Sequence, residues 1–367
     1  MKIIILTSSL ALGGTERVVA SLCNEWAARG DDVTLILTYS GGAKLFYPLS
    51  ERTELINLAD VVGVKNLGVL TYAQRLYALR RLLVERDADV IVSFLPNVNV
   101  STIISSAFLK TPLIICERSY PLVIPRFHIL NVLRKRTYRY ADMLTVQTDS
   151  IADKFRKHYP GLKAVRTIPN ALPEEIATYK KSSMSERKIL LSLGRLAPEK
   201  QLDKLLNTFS LIAPMFPDWD LHIYGDGPMK SSLDQQIRDA GLQSRAFLKG
   251  PTSKPWEVMA GADAFVMVSQ YEGFPNALLE AMGIGLPCAV FDCPTGPREI
   301  TRDGKDALLV PLNDYEGLRG ALTTLMGNEQ LRSDLGAQAR DSVYGRFSHA
   351  QVMAQWDQLF KQVGAMR

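Results

Sequence analysis

The sequence is poor in the residues that would tie it to an oxidised or metal-built fold. Its four cysteines, Cys23, Cys116, Cys288 and Cys293, form neither a CxxC pair nor a zinc spacing in 367 residues, and so few thiols in so long a chain make no disulfide scaffold. A reduced, cytoplasmic setting is expected. The four histidines, His128, His158, His222 and His349, fall into no HExxH-like spacing, which argues against a metal. No apolar run approaches the ~20 residues that span a bilayer. The opening MKIIILTSSL imitates a signal peptide, but its strongly apolar part stops after Ile3 to Leu6, so Lys2 to Thr7 reads as a buried strand. A repeat with a period of about 20–50 residues is missing, as is any low-complexity segment, which excludes solenoids and fibrous arrays.

What is present is 47% apolar residues, enough for two ordinary cores in a chain of this length. Short β-branched runs alternate with longer amphipathic stretches: IIIL (3–6), a helical 15–29, VTLIL (33–37), a helical 71–86, DVIVSF (89–94), PLIIC (112–116), a helical 127–140 and MLTV (143–146). Such alternation means parallel strands joined by crossover helices. The pattern pauses at Pro169-Asn170-Ala171-Leu172-Pro173 and the polar stretch Lys180 to Lys188, the natural linker.

It restarts with KILLSLG (188–194), a helix from Lys200, DLHIYG (220–225), a helix from Pro228, AFLKG (246–250), ADAFVMV (262–268), a helix from Pro275 and PCAVF (287–291). Helical stretches over 314–326, 329–346 and 349–364 close the chain. The expected fold is α/β, with two doubly wound parallel-sheet domains of Rossmann type facing a central cleft. The first is expected over 1–173 and the second over 184–349, with a C-terminal helix at about 350–367 packing back on the first.

Charge is uneven. Residues 1–180 carry 23 Lys+Arg against 16 Asp+Glu, and residues 181–367 carry 20 against 22. A basic first half suits an anionic partner such as phospholipid, a diphosphate-bearing lipid or nucleic acid, although ordinary surface lysines account for it equally. No nucleic-acid motif accompanies the charge, so nucleic acid is not expected as a partner.

The strongest motif is Glu272-Gly273-Phe274-Pro275-Asn276-Ala277-Leu278-Leu279-Glu280. Proline favours the first position of a helix, so Gly273 to Ala277 form a strand-to-helix turn whose backbone N–H groups suit an anion. A diphosphate there also meets the positive end of the helix dipole. Glu280 falls about one turn into the helix while Glu272 stays in the loop, so two carboxylates are able to flank a hydroxyl-rich ligand. In Gly194-Arg195-Leu196-Ala197-Pro198-Glu199-Lys200, Arg195 and Lys200 converge at the carboxyl edge of the sheet, where open α/β folds bind ligands. Two such cations make a metal-free diphosphate clamp, Arg as a directional fork and Lys as a point charge. Gly225-Asp226-Gly227-Pro228 is a further strand-to-helix turn that either lets a ligand approach or is purely structural. Gly13-Gly14-Thr15-Glu16-Arg17 is a glycine-rich first loop without the GxGxxG of a dinucleotide site.

Taken together, GGTER, GRLAPEK, YGDGP and EGFPNALLE resemble glycosyltransferase family 4, retaining enzymes of the GT-B fold. Their order and spacing cover nearly the whole chain. Within that family the sequence is similar to bacterial transferases that extend oligosaccharides on undecaprenyl diphosphate for surface polysaccharide or protein glycosylation. The resemblance implies that Arg195 and Lys200 hold the donor diphosphate, that Glu280 binds the ribose hydroxyls and that Glu272 binds the transferred hexose. It places the sugar and distal phosphate against the backbone of Phe274, Pro275, Asn276 and Ala277. Gly13 and Gly14 would line the donor phosphate and acceptor side, and the uracil contact falls near Lys249 and Gly250. The donor is expected to be a UDP-sugar, with no cofactor and no metal. Where many relatives carry a histidine, this chain reads Cys116-Glu117-Arg118-Ser119; Arg118 either meets a phosphate or pairs with Glu117 or another acid.

For the acceptor, Pro121-Leu122-Val123-Ile124-Pro125 leads into Arg126 to Tyr140, where helical spacing sets Ile129, Leu133 and Tyr140 on one face and Lys135, Arg136 and Arg139 near another. An apolar loop beside a basic face suits an anionic membrane surface, as does an ordinary helix packed on a sheet with a solvated basic side. Arg75, Arg80, Arg81 and Arg86 add charge that helical spacing scatters. The expected protein is thus a peripheral one at the inner face of the plasma membrane, moving a hexose or N-acetylhexosamine to a lipid-linked glycan. A UDP-sugar epimerase or a non-catalytic sugar-binding protein is the alternative. Asp218-Trp219-Asp220 has the look of a metal-binding DxD but sits at a turn away from the inferred site, where a hard cation would lack further oxygen ligands.

Overall fold

The structure, a computed structural model, describes residues 1–11, 13–39, 45–63, 69–118, 128–179 and 187–365. They form two units, Met1–Asn170 with Val352–Arg367, and Ala171–Gln351.

Unit 1 is built on seven parallel strands: β1 (Lys2–Thr7), β2 (Asp32–Leu37), β3 (Thr53–Asn57), β4 (Val90–Phe94), β5 (Leu113–Cys116), β6 (Met143–Val146) and β7 (Val165–Thr167), in the order β3-β2-β1-β4-β5-β6-β7. The near-continuous Ile, Leu and Val runs of β1 and β4 are what a strand covered on both faces requires. The helices Val69–Arg86, Pro96–Ser105, His128–Thr137 and Asp149–His158 cover one face, burying Leu79, Val98, Ile103 and Phe155 against Ile4, Leu6, Ile91 and Leu144. The helix Gly14–Ala28 runs from β1 to β2, against the direction of the steps from β4 through β7, and right-handedness puts it on the face opposite their helices. There Trp26 meets Trp356 edge-on at 5.6 Å and Phe360 at 5.2 Å, and Arg29 pairs with Asp357 at 3.1 Å. The last helix of the chain, His349–Gln362, is held on unit 1 by these contacts.

Unit 2 has six parallel strands: β8 (Lys188–Leu193), β9 (Trp219–Tyr224), β10 (Ala246–Gly250), β11 (Ala264–Met267), β12 (Cys288–Asp292) and β13 (Leu308–Pro311), in the order β10-β9-β8-β11-β12-β13. The helices Leu202–Ile212, Lys230–Asp239 and Tyr315–Gly327 bury Phe209, Leu233 and Leu322 on one face. The helices Pro255–Ala260, Asn276–Ile284 and Glu329–Phe347 bury Met259, Leu278 and Val343 on the other.

The segment expected as a linker differs in its first part. Leu172 and Ile176 are fully buried in the core of unit 2, on either side of the start of a 3-10 turn over Glu174–Thr178. The Leu172 amide donates to the Phe347 carbonyl at 2.7 Å. Two apolar residues four apart, punctuated by Pro169 and Pro173, are too short a signal to read as core. Residues 180–186 of the expected linker lie outside the described residues. Strands β3, β7 and β13 also escaped the sequence reading; each is a short edge strand with partly exposed residues.

Candidate functional site

At the carboxyl edge of the unit 2 sheet, the loops that follow neighbouring strands touch one another in sheet order. The Gly225 amide, after β9, donates to the Gly250 carbonyl, at the end of β10, at 2.9 Å. Leu196, after β8, donates to the Asp226 carbonyl at 2.9 Å, and Met229 donates back to Leu196 at 2.9 Å. Gln270, after β11, donates to the Glu199 carbonyl at 2.7 Å. The Thr295 hydroxyl, after β12, donates to the Glu272 carbonyl. The Gly-Asp-Gly turn serves this contact: Gly225 has φ +146°, and a Cβ there would lie 1.8 Å from the Gly194 carbonyl oxygen. Its glycine lets two loops of the protein meet, which is the structural alternative of the sequence reading.

Within this rim, Lys200 ends a 3-10 turn, Pro198–Lys200, and Gln201 then takes a left-handed φ of 49° before the helix Leu202–Ile212. That turn aims the Lys200 ammonium across to the β11 loop, where it donates to Glu272 Oε1 at 2.6 Å. Ser269 Oγ donates to the same oxygen at 2.6 Å. Both charged side chains are largely but not wholly covered, so the pair is reachable by a ligand. Gly296, at φ +98°, interlocks with the same loop, since a Cβ there would lie 2.4 Å from Pro275 Cδ. Arg195 is exposed one residue past Gly194 and has no acidic partner among the described residues.

Glu280 is only 3% exposed and belongs to a helix, Asn276–Ile284, that is otherwise buried almost throughout. Trp256 Nε1 donates to its Oε2 at 2.9 Å. A buried carboxylate is costly unless hydrogen-bonded, and the indole supplies one such bond. Pro275 stands at the N-cap position, one residue earlier than expected. The first helical bonds are those of Leu278 and Leu279 to the Pro275 carbonyl, both 3.1 Å, which puts the Asn276 and Ala277 amides in the first turn of the helix. The Phe274 ring packs edge-on against Phe347 at 6.0 Å, so only its backbone faces the loop side. Lys249 places its ammonium 4.6 Å from the Phe247 ring.

Asp218 and Asp220 are engaged in ion pairs, with Lys188 at 2.9 Å and with Arg187 at 2.7 Å respectively; Arg245 adds a contact of 3.2 Å to Asp220. Among the described residues no group of three or more His, Cys, Asp or Glu is arranged to hold a metal.

In unit 1, Gly13 caps the helix Gly14–Ala28. The Tyr47 hydroxyl donates to the Gly13 carbonyl at 3.0 Å and lies 3.4 Å from its amide. Phe46 donates to Leu10 at 3.0 Å, and Asn24 Nδ2 donates to the Pro48 carbonyl at 3.1 Å. Residues 46–48 thus strap the glycine loop to the helix. Arg118 is buried and does not pair with Glu117: its Nη1 donates to the Ile168 carbonyl at 3.3 Å and to Asn170 Oδ1 at 3.2 Å, and its guanidinium lies 5.3 Å from the Phe94 ring. Burial lowers its pKa from the usual arginine value. Glu117 pairs instead with Arg134 at 3.0 Å and accepts from the Tyr138 hydroxyl.

The helix His128–Thr137 corrects the expected faces. Leu133 packs inward on the sheet, whereas Ile129 and Tyr140 are exposed together with Lys135, Arg136 and Arg139. The outward stripe therefore mixes apolar and basic residues, because Arg134 takes the inward polar position. The loop Pro121 to Pro125, with Ser119 and Arg126, lies outside the described residues.

Of the groups that touch Glu272 or Glu280, Ser269, Thr295 and Trp256 were not singled out from sequence. Ser269 had a readable signal, standing three residues before Glu272 at the end of a strand. Trp256 had none, being 24 residues from Glu280 and brought to it by helix packing.

Comparison with known proteins supplies the family. Residues 12–175 match the model of Glycosyltransferase Family 4, and residues 175–342 match that of Glycosyl transferases group 1. The chain is 31% identical over 391 aligned positions to an exopolysaccharide phosphotransferase of Streptomyces coelicolor; the match takes in 99% of the chain but only 41% of that longer relative. It is 25% identical, over 99% of each chain, to a Campylobacter jejuni enzyme named as an α-1,4-N-acetyl-D-galactosaminyltransferase acting on a diNAcBac-PP-undecaprenol glycan. Among solved structures, Staphylococcus aureus TarM, bound to Fondaparinux, α-GlcNAc-glycerol and UDP, superposes with a TM-score of 0.82 at 15% identity, over 98% of this chain and 99% of that one. That likeness, with the two parallel sheets, gives the chain the GT-B fold.

Proposed function

The chain belongs to the glycosyltransferases, and from that premise we propose that it moves a hexose or N-acetylhexosamine from a UDP-sugar to a lipid-linked, undecaprenyl-diphosphate glycan, with retention at the anomeric carbon. One observation carries the reading: Lys200 and Glu272, 72 positions apart, meet at 2.6 Å on the carboxyl edge of the unit 2 sheet, beside the turn that opens the helix carrying Glu280. A cation, a carboxylate and first-turn amides are the groups a sugar diphosphate needs. The TarM structure holds UDP, and the Campylobacter relative is named for an undecaprenyl-linked acceptor, which supports both halves of the proposal.

In this reading the donor diphosphate lies against Arg195, Lys200 and the amides of Asn276 and Ala277. As the bond between the anomeric carbon and the phosphate oxygen breaks, negative charge grows on the diphosphate, and fixed cations with helix-end amides stabilise it without a metal. Glu272 accepts hydrogen bonds from the sugar hydroxyls, and Lys200, already its partner, bridges carboxylate and phosphate. Glu280, steadied by Trp256, takes the ribose hydroxyls. The acceptor oxygen attacks on the face the diphosphate leaves, and its proton passes to the departing phosphate oxygen, so the configuration is kept. No helix among the described residues is long and apolar enough to cross a membrane; contact with an anionic inner membrane surface through the basic side of unit 1 brings the chain to its acceptor.

The test is a panel of UDP-sugars against undecaprenyl-diphosphate-linked acceptors, read by mass, with Glu272→Ala and Lys200→Ala as controls. Acceptor-dependent addition of one sugar mass, lost in both variants, is the expected result. Conversion of the UDP-sugar with no acceptor present would instead indicate an epimerase, and a product of inverted configuration would remove the retaining mechanism.

A further inference from the structure

Among the described residues four arginines are buried, Arg75, Arg118, Arg134 and Arg332. A buried charge is costly unless it is paired or well hydrogen-bonded, and three of the four have a visible occupation. Arg134 pairs with Glu117 at 3.0 Å. Arg332 donates to the Leu325 and Met326 carbonyls, both at 2.9 Å, and lies 5.2 Å from the Trp219 ring. Arg118 ties down Ile168 and Asn170, where unit 1 ends in sequence.

Arg75, on the helix Val69–Arg86, is the exception. It is 7% exposed, has no acidic partner among the described residues, and makes one bond there, from Nη1 to the Thr38 carbonyl at 3.3 Å. Its Nε is enclosed without a partner. The guanidinium lies 5.9 Å from the Tyr39 ring, which is itself 40% exposed. One long bond to a carbonyl is a poor return for burying a full charge, so the fold alone gives no reason for an arginine at this position.

Its surroundings give one. Thr38 and Tyr39 follow β2 at the carboxyl edge of the unit 1 sheet, and their amides donate to the Thr7 and Ser8 carbonyls at 2.9 and 3.0 Å. Ser8 opens the loop that ends in Gly13, the cap of the helix Gly14–Ala28. Ligands of open α/β sheets bind at this edge. The other arginines of the helix are occupied: Arg80 by the Ser105 and Ala107 carbonyls, Arg81 by Glu85 and Arg86 by Glu54.

We propose that Arg75 and Tyr39 form an acceptor subsite for a sugar carboxylate, so that the glycan extended by this chain carries a residue of uronic-acid type. The inference rests on the proposed transferase reading and names one chemical feature of its acceptor. A guanidinium holds a carboxylate through directed, charge-assisted bonds, and an exposed tyrosine face packs against the apolar face of a sugar ring. A lone guanidinium matches one negative charge. The diphosphate of a lipid carrier holds more than one and calls for further cations, which makes it the competing source.

The experiment is an NMR titration of the full chain, saturated with UDP, with methyl glucuronide and methyl galacturonide, each against its uncharged methyl glycoside. Geranyl diphosphate serves as the competitor that carries a lipid diphosphate without a sugar. At least one uronide is expected to bind about tenfold tighter than its neutral counterpart, and geranyl diphosphate is expected not to displace it. Arg75→Gln should abolish the preference, with UDP affinity unchanged and a melting temperature no lower than wild type, because a buried unpaired charge has been removed. Tyr39→Ala, at an exposed side chain, should weaken the uronide about threefold and carries the test if Arg75→Gln does not fold. Equal binding of charged and neutral glycosides by the wild type, or a preference that survives Arg75→Gln, would overturn the proposal. So would displacement of the uronide by geranyl diphosphate, or a fall of several degrees in the melting temperature of Arg75→Gln, which would make Arg75 a structural brace. Those outcomes leave acceptor-dependent transfer untouched; absence of that transfer with every acceptor would instead strike the proposed activity.

Discussion

The Lys200 ammonium and the Glu272 carboxylate, contributed by the loops after β8 and β11, are joined at 2.6 Å, with Ser269 Oγ on the same carboxylate oxygen. A partly covered ion pair of this kind contributes little to stability by itself. Its worth lies in placing a cation and a carboxylate side by side before a ligand arrives. Lys200→Ala is therefore expected to leave the melting temperature within a degree or two of wild type while lowering kcat by about 10²–10³-fold. Steady-state kinetics beside a thermal melt reads both; a large stability loss with normal kcat would reverse the assignment.

The Trp256 indole steadies Glu280 at 2.9 Å inside the core. Trp256→Phe keeps the bulk and removes the donor, so the KM for the donor sugar nucleotide should rise about tenfold with kcat changed far less. An unchanged KM would separate Glu280 from the donor.

Gly225 lies with φ +146° against the Gly194 carbonyl, where a Cβ would sit at 1.8 Å. Gly225→Ala must move one loop or the other, and a stability loss of at least ~2 kcal/mol is expected, seen as a fall in Tm of roughly 4–8 °C. A variant as stable as wild type would show that the rim of loops is not held at this contact.

These predictions divide by how far the sequence exposed the residues involved. The parallel strands β1, β4, β8 and β12 are legible because burial on both faces demands unbroken apolar runs. The rim motifs are legible too, since glycine and proline mark turns whose backbone must take particular shapes. Leu133 and Arg134 show the limit: helical period assigns faces but does not tell which face a sheet takes, and the pairing of Arg134 with Glu117 decided it. Arg118 likewise sits next to Glu117 in sequence, yet neighbours on a strand end point apart, and it bonds to Ile168 and Asn170 instead. Trp256 and Tyr47 reach their partners only through tertiary packing, which no local pattern records.

Tyr47 bonds the Gly13 carbonyl at 3.0 Å and so fixes the glycine loop at the head of its helix. Tyr47→Phe should lower kcat/KM about three- to tenfold, the scale of one or two hydrogen bonds, with no change in the donor affinity of unit 2. A loss of donor affinity instead would show that Gly13 acts on the nucleotide.

His222, half-buried on β9, has its pKa pushed down to about 4 from 6.5, first by burial and then by the charge of Lys249, with Asp220 opposing. The folded form holds this ring neutral while the unfolded chain takes up a proton below pH 6.5. Stability is therefore lost as pH falls from 6.5 towards 4, because the unfolded state binds the additional proton there. In His222→Gln, the fall in Tm over that window should be shallower than in wild type. Parallel curves for the two proteins would mean that other groups carry the acid sensitivity.

The most direct test of the site is calorimetric titration of UDP into the wild type and into Arg195→Ala, Lys200→Ala and Glu280→Ala. One site per chain is expected, with affinity reduced about tenfold or more in each variant, the scale of a lost charge-assisted contact. Wild-type affinity retained in all three variants would contradict the placement of the donor at the carboxyl edge of the unit 2 sheet.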